Sequence, residues 1–543
     1  MPTRLIENVG ESGAFSSFDV DARKLPDGAW SDCENVRFDG FVARKVAGSR
    51  AVFGSLSTSA YSLIPHTTFD GQPHFCYAGL TSVFTVSNDV HYDLTRQSAT
   101  ASGTLTNRAY SADPTQLWTG GVFGGLLFLN NGVDAPQVQP TPTTSARLVD
   151  LANWPSTVTT RCASLRAFKN YLVALDVTKG ATRFRQMVKW SSSADPLTVP
   201  ASWDEADTTQ DAGETSLADT NGSVIDSLPL RDVNIIYKDD SVYGQQLIGL
   251  PFVFRFYLIF NNVGILARRC VAAFEQYHCF VGNDLDIYVH DGTTIRSIGQ
   301  DKWRRWLQSN IDGDNYERTF VAANPATTEI WIFVPTGDEG YTSKVLMWNW
   351  RKDTWGVRTV SNVSSGAVGG IRSVAYVVLW SSTLTTWATE TSTWAELASV
   401  PPERKLTLSN PDLMTGLIET EIGSSELGAA LPFYLERQGM WANPVKVSDG
   451  ARMVDLQSVK FIRRVRFRTT STNSNNVSYM VAVQTDVDSA LTYVSTTKVL
   501  NSTAEVTVLK RGRFLSLRIE SSADVDAEVH AIEIEAEESG SYL

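Results

Sequence analysis

Apolar residues in this chain come in short runs closed by turn-forming pairs. FCYAGLTSVFTVSNDVHYDLT (75–95), GGVFGGLLFLNNGVDAPQV (120–138) and LRAFKNYLVALDV (165–177) share one logic. In each, an apolar strand of about five residues is closed by Asn-Gly, Asn-Asp or Lys-Asn, and another strand follows. The centre repeats it: QYHCFVGNDLDIYVHDGTTIRSI (276–298) reads strand, Gly-Asn-Asp turn, strand, Asp-Gly turn, strand. EIWIFVP, KVLMWNW and TWGVR, within 317–358, add three more strands joined by turn-rich connections. Units of three or four antiparallel strands recurring about every forty residues predict the blades of a β-propeller, about six of them.

The rhythm changes after Pro401-Pro402. KFIRRVRFRTT (460–470), SYMVAVQTD (478–486), AEVTVLKRGRFLSLRIES (504–521) and EVHAIEIEAE (528–537) alternate apolar and polar residues with the period of two that a half-buried strand requires. The fold class expected is therefore all-β: a multi-bladed propeller over 45–404 and an antiparallel β-sandwich platform over 405–543. Residues 1–44 read as an arm joining the platform, with FDGFVARK (38–45) as strand, Asp-Gly turn, strand. Pro-rich 134–160 and acidic 191–230 read as loops inserted in the propeller. DKWRRWLQSNI (301–311) is the helical exception, with an Asp cap and apolar Trp303, Trp306, Leu307 and Ile311 at helical spacing. Trp380, Trp387 and Trp394 recur every seven residues in a Thr- and Ser-rich background and read as a blade-core ladder on short strands.

Composition sharpens this picture. The 543 residues are too many for one compact domain, and only 20% are charged. Fifteen Trp, seventeen Tyr and twenty-four Phe need packed β surfaces to cover them. A net charge of -12 disfavours adhesion to nucleic acid, which needs clustered cations, although an acidic wall can let DNA slide past. The five cysteines are scattered without CxxC, so buried reduced thiols of a cytoplasmically folded protein are expected. The N-terminus has no apolar leader, and the longest apolar run, 248–260, holds Pro251 and Arg255 and is too short to span a bilayer.

The search for chemistry returns no constellation. Six histidines, His66, His74, His91, His278, His290 and His530, lack metal-ligand spacing. His278 and Cys279, adjacent on a strand, point to opposite faces. Asp312, Asp314 and Glu317 lack the full ligand pattern of a calcium loop, and Asp284 and Asp286 flank a hairpin as turn formers. No catalytic residue, metal ligand or cofactor is assigned. Arg464, Arg466 and Arg468 line one face of a strand, giving a cationic strip suited to a salt-bridged subunit contact or a phosphate-facing lumen.

Several segments, in order, resemble the tail nozzle proteins of short-tailed bacteriophages, also called tail tubular protein B or packaged-DNA stabilisation proteins. They are DVDARKLPDGAWSDCENVRFDGFVARKVAGSR (19–50), GLLFLNNGVDAPQV (125–138), the stretch from CFVGNDLDIY to VLMWNWRKDTWGVR, the Trp repeat, FYLERQG (433–439) and RGRFLSLRIES (511–521). In that family Trp-Asp pairs are common, whereas here Trp387 and Trp394 precede Ala. The resemblance implies a virion protein: a homo-hexameric ring below the portal and tail adaptor, with fibres or spikes attached nearby. Double-stranded DNA would pass its channel without sequence-specific binding and be retained until ejection. The alternative reading is a carbohydrate-binding or carbohydrate-active propeller. A host-recognising fibre is a third, but the chain lacks a repetitive shaft.

Overall fold

The computed structural model describes residues 3–371 and 403–541, except 8, 11–24, 26–27, 100–103, 116–117, 157, 251, 301, 338–339, 442–444, 447–451, 454–457, 472–475, 487–488, 497–498 and 501. Trp380, Trp387 and Trp394 lie outside the described residues. The turn chemistry of the sequence closes the hairpins. Asn88 and Asp89, at φ 49° and 61°, join Val83–Ser87 to Val90–Asp93. Gly124 and Gly125, at 53° and 92°, join Thr119–Phe123 to Leu126–Asn130. Two successive left-handed residues make the turn whose twist matches that of the flanking strands.

The protein is an all-β propeller carrying a β-sandwich. Seven antiparallel blades, rather than about six, follow one another among the described residues. Their first strands are Ser62–Thr67, Thr119–Phe123, Thr160–Phe168, Val224–Leu230, Val271–Phe274, Phe320–Asn324 and Ser365–Ile371. Each first strand packs on the next, and the seventh packs back on the first, so the ring is closed. Blade 7 takes Glu403–Ser409 and Leu417–Thr420 as its second and third strands, and Ser49–Val52 from the other end of the sequence as its fourth. That pairing fastens the ring. At the seam the backbone of Gly369 in blade 7 lies so close to the Phe75 ring of blade 1 that an added Cβ would meet it at 2.5 Å.

Three boundaries move. Segment 134–160 is not all loop: Gln137–Val138 and Val149–Asp150 complete blade 2. Segment 191–230 holds Gly213–Ser216, the outer strand of blade 3, and Val224–Leu230, the inner strand of blade 4. The propeller runs past 404, through Leu417–Thr420, and the sandwich strands resume at Phe433. Outer strands of two to four residues are too short to show alternation, and their pairing is set by the neighbouring strand instead of by their own hydrophobicity.

One sandwich sheet has the order Ala43–Lys45, Ala527–Ser541, Ser458–Ser471, Thr503–Gly512, Val499–Leu500, with Thr3–Ile6 also on Ala527–Ser541. It is continuous with blade 6 through Val36–Phe38, which pairs with Thr354–Val363. The facing sheet is Asp32–Glu34, Phe433–Trp441, Phe514–Ser521, Ser478–Gln484, Tyr493–Thr496. Ile462, Phe467, Tyr479, Val481, Leu517 and Ile534 are buried in its core, each aliphatic or Phe side chain contributing about 2 kcal/mol. Phe467 and Tyr479 meet at 5.4 Å between ring centroids.

A helix, α1 (Arg304–Asn310), links blades 5 and 6. Its N-cap is Trp303, not an Asp, and no side chain caps it. The backbone N–H groups of Lys302, Trp303 and Arg304 all donate to the Gly299 carbonyl, which does the work expected of the cap. Trp303 and Leu307 are buried, so the helix is amphipathic. Among the described residues, no helix is long and apolar enough to cross a membrane.

Candidate functional site

The inner strands converge on polar groups at the ring axis. Asp226, on the inner strand of blade 4, accepts two hydrogen bonds from Arg166 of blade 3, at 2.7 Å from Nε and 2.6 Å from Nη2. Ser164 Oγ donates to the same carboxylate at 2.9 Å, and the Arg269 backbone N–H, leading into blade 5, at 3.0 Å. Arg166 also reaches the Gly120 carbonyl of blade 2. Arg269 donates to Ser365 Oγ of blade 7 at 2.5 Å, and that hydroxyl accepts the Leu63 N–H of blade 1. The Arg269 carbonyl accepts Val321 N–H of blade 6. All seven blades are thus tied into one network on the axis.

Its electrostatics follow from burial and pairing. Burial raises the Asp226 pKa, but the Arg166 guanidinium and the donated hydrogen bonds outweigh it and hold the carboxyl below its ordinary value. Arg269 has no such carboxylate of its own, and burial, with repulsion from Arg166 behind it, lowers it to about 10. Where the inner strands of blades 3 and 4 begin and the chain leads into blade 5, a cavity of about 250 Å³ is lined by Thr115, Asp176, Arg183, Arg268, Tyr316 and Glu317 among others. At about 30 Å³ per water, a space of that size holds about eight waters, not a polymer.

A second polar element joins blades 4 and 5. His278 and His290 are cross-strand partners in blade 5, and the Tyr237 hydroxyl of blade 4 lies 2.8 Å from His278 Nδ1 and 2.7 Å from His290 Nε2. The proton order is fixed by the ends. Pro229 O can only accept, so His278 Nε2 donates to it at 3.1 Å, and Nδ1 accepts from Tyr237. Gly292 N–H donates to His290 Nδ1, so His290 Nε2 donates to the Tyr237 oxygen. Both rings are neutral: burial lowers His278 to about 4 and His290 to about 3, with His278 adding to the second shift. His66, in blade 1, is held at about 3 by burial and by His74.

The residues singled out by sequence meet partners within the chain. Arg464, Arg466 and Arg468 share one face of Ser458–Ser471, flanked by Glu505 on one neighbouring strand and Glu533 and Glu535 on the other. Arg464 pairs with Glu535 and Glu505, Arg466 with Glu505 at 2.7 Å, and Arg468 with Glu533 at 2.5 Å. Three cations face three carboxylates, so the strip is a neutral ladder. Cys279 is buried and free, as are the other four cysteines. Asp312 accepts the Asp314 N–H in a turn, and among the described residues no group of His, Cys, Asp or Glu is placed to hold a metal ion. Asp284 accepts from the Tyr288 hydroxyl and Asp286, buried, from Ile287 N–H and Ser297 Oγ. Sequence reasoning missed Arg166, Asp226 and Arg269. The available signal was a charged residue inside an otherwise apolar inner strand, as in SLRAF and SVIDSL.

No protein-family model matches the chain, and no curated protein does. Similar solved structures include Raptor of Chaetomium thermophilum, at 9% identity and TM-score 0.36, covering 70% of this chain and 30% of that one. The AfRom2 CNH domain shows 9% identity and TM-score 0.32 over 61% of this chain and 95% of that one. PorZ, a bacterial surface component of the type-IX secretion system of Porphyromonas gingivalis, shows 10% identity and TM-score 0.31 over 74% and 45%. This chain therefore spans under half the length of Raptor and of PorZ. The propeller assignment rests on the strand topology itself.

Proposed function

We propose that the chain is a structural virion protein, the nozzle subunit of a short phage tail. In this reading six copies form a ring below the portal and tail adaptor, carry attached fibres or spikes, conduct the genome and retain it until ejection. The observation that carries the reading is the ordered set of nozzle-like segments running from residue 19 to residue 521. A large all-β ring with a sandwich is the architecture those segments imply. The axial network adds a constraint. With Arg166, Asp226 and Arg269 bridging the blades, DNA has no path through a single propeller, so its channel would be lined by the outer surfaces of several copies. The formal charge of -12 suits such a lining, since repelled phosphates slide instead of sticking. No catalytic residue is part of this function. Electron microscopy of purified particles is expected to show six copies at the distal end of the tail. A chain that stays monomeric in the presence of portal–adaptor rings, and shows no affinity for them, overturns the proposal.

A further inference from the structure

The platform carries a cleft that the nozzle reading leaves without a role. Glu34, Tyr434, Glu520 and Ser478 stand in one transverse row across the facing sheet, each directly opposite the next on neighbouring strands. Cross-strand partners share a face, so all four side chains project from the same side. The cavity above them measures about 380 Å³ and is closed at the edges by Pro432, Phe433, Asn476 and Ser522. That is the size range of small-molecule sites.

The polar atoms there are half used. Glu34 Oε1 takes the Lys344 ammonium at 2.6 Å and the Thr359 hydroxyl, and Glu520 Oε2 takes Arg518 Nε at 2.7 Å. Glu34 Oε2, Glu520 Oε1, the hydroxyls of Ser478 and Ser522 and the Asn476 amide have no partner among the described residues. Two acceptor-only oxygens thus stand two strand spacings apart, about 10 Å, on either side of Tyr434, and three groups that both donate and accept lie on the Glu520 side. The same face carries Asp32 and Glu436 in the next row, so four carboxylates face two cations, Arg518 and Lys344, with the Tyr434 hydroxyl given to Asp32 and the Tyr493 hydroxyl to Glu436. Burial holds Asp32 above its usual range, and Glu436 and Glu34 push the same way.

We propose that this cleft binds one ring of a neutral saccharide. A ligand rich in hydroxyls satisfies both carboxylate oxygens as donor and the Ser478, Ser522 and Asn476 groups as either. The excess of carboxylates rejects uronic and sialic acids, and the absence of a free cation in the row rejects phosphates. The inference is independent of the nozzle proposal, because it rests on this sheet face alone.

Titration of the full chain with glucose, galactose, mannose, N-acetylglucosamine, N-acetylgalactosamine and glucuronic acid, followed by saturation-transfer NMR and calorimetry, tests it. At least one neutral sugar is expected to bind with a Kd of order millimolar, the range of a single ring held by a few hydrogen bonds. Glucuronic acid is expected to bind at least tenfold more weakly. The triple variant N476A/S478A/S522A, which touches no ion pair and whose fold is checked by its melting temperature, is expected to lose at least tenfold in affinity. E520Q, which keeps the shape of the side chain but removes its charge, should relax the discrimination against glucuronic acid. No binding by any neutral sugar, equal binding by the triple variant, or tighter binding of glucuronic acid overturns the proposal.

Discussion

The Asp226 carboxylate is the residue on which most depends. It is 1% exposed and carries Arg166, Ser164 and the Arg269 backbone at once. Breaking one side of a buried ion pair leaves the other charge stranded, at a cost of about 3 kcal/mol or more. Asp226→Asn is therefore expected to lower the unfolding free energy by that amount, read as a fall in the denaturant midpoint at unchanged slope. An Arg166→Met/Asp226→Leu double variant is expected to lose less than Asp226→Asn alone, a comparison that urea titration makes directly. The Tyr237–His278–His290 chain gives a pH signature. Both imidazoles are charged below about pH 6.5 in the unfolded chain but only near 4 and 3 when folded. Their contribution is thus complete above pH 6.5 and is lost as pH falls toward 4, by about 1.4 kcal/mol per unit for each ring. Unfolding titrations between pH 7 and 4 should show this slope, reduced in a His278→Asn/His290→Asn variant. None of these partnerships was legible in the sequence. Tyr237 and His278 lie forty-one residues apart, and nothing local to either names the other.

Hairpins were the most legible elements. Asn88-Asp89, Lys169-Asn170 and Asp39-Gly40 each close a strand pair, because a left-handed or turn-forming pair is a local requirement that a local sequence can state. Outer strands such as Val149–Asp150 were not legible, since two residues carry no period. The seam between blades 7 and 1 is closely packed. Gly369→Ala would drive a Cβ against Phe75, and overpacking of this kind costs about 1–3 kcal/mol. Gly313, with nothing within 4 Å of the corresponding position, should accept Ala without loss. Parallel melting curves of the two variants decide whether the seam limits stability. The arginine ladder teaches the converse lesson. FIRRVRFR announces a cationic face, but the glutamates that neutralise it come from strands about forty and seventy residues further on.

At the scale of the whole molecule, charge and topology act together. Phosphate affinity scales with the number of cations free to release counterions. With the ladder paired and a net charge of -12, the isolated chain is expected to show no salt-dependent binding to duplex DNA. Gel shift at 50 and 200 mM salt checks this, and a steep salt slope would reveal a basic surface outside the ladder. Ring closure is the other global property. Ser49–Val52 completes blade 7 only after Leu417–Thr420 has been made, a pairing across more than three hundred residues. Such a contact rewards the chain late, after the loop entropy has been met.

By itself the sequence determined the class of the protein: strands of fixed period, the turns between them, a propeller-like recurrence and a sandwich at the end. Those are properties of neighbouring residues, and side-chain alternation and φ preferences act over a few positions. Only the tertiary structure decided that the described residues form seven blades, that Ser49–Val52 closes the ring, and which charges meet on the axis and along the ladder. Those outcomes depend on which distant strands pair, and pairing is chosen by the packing of the whole sheet set.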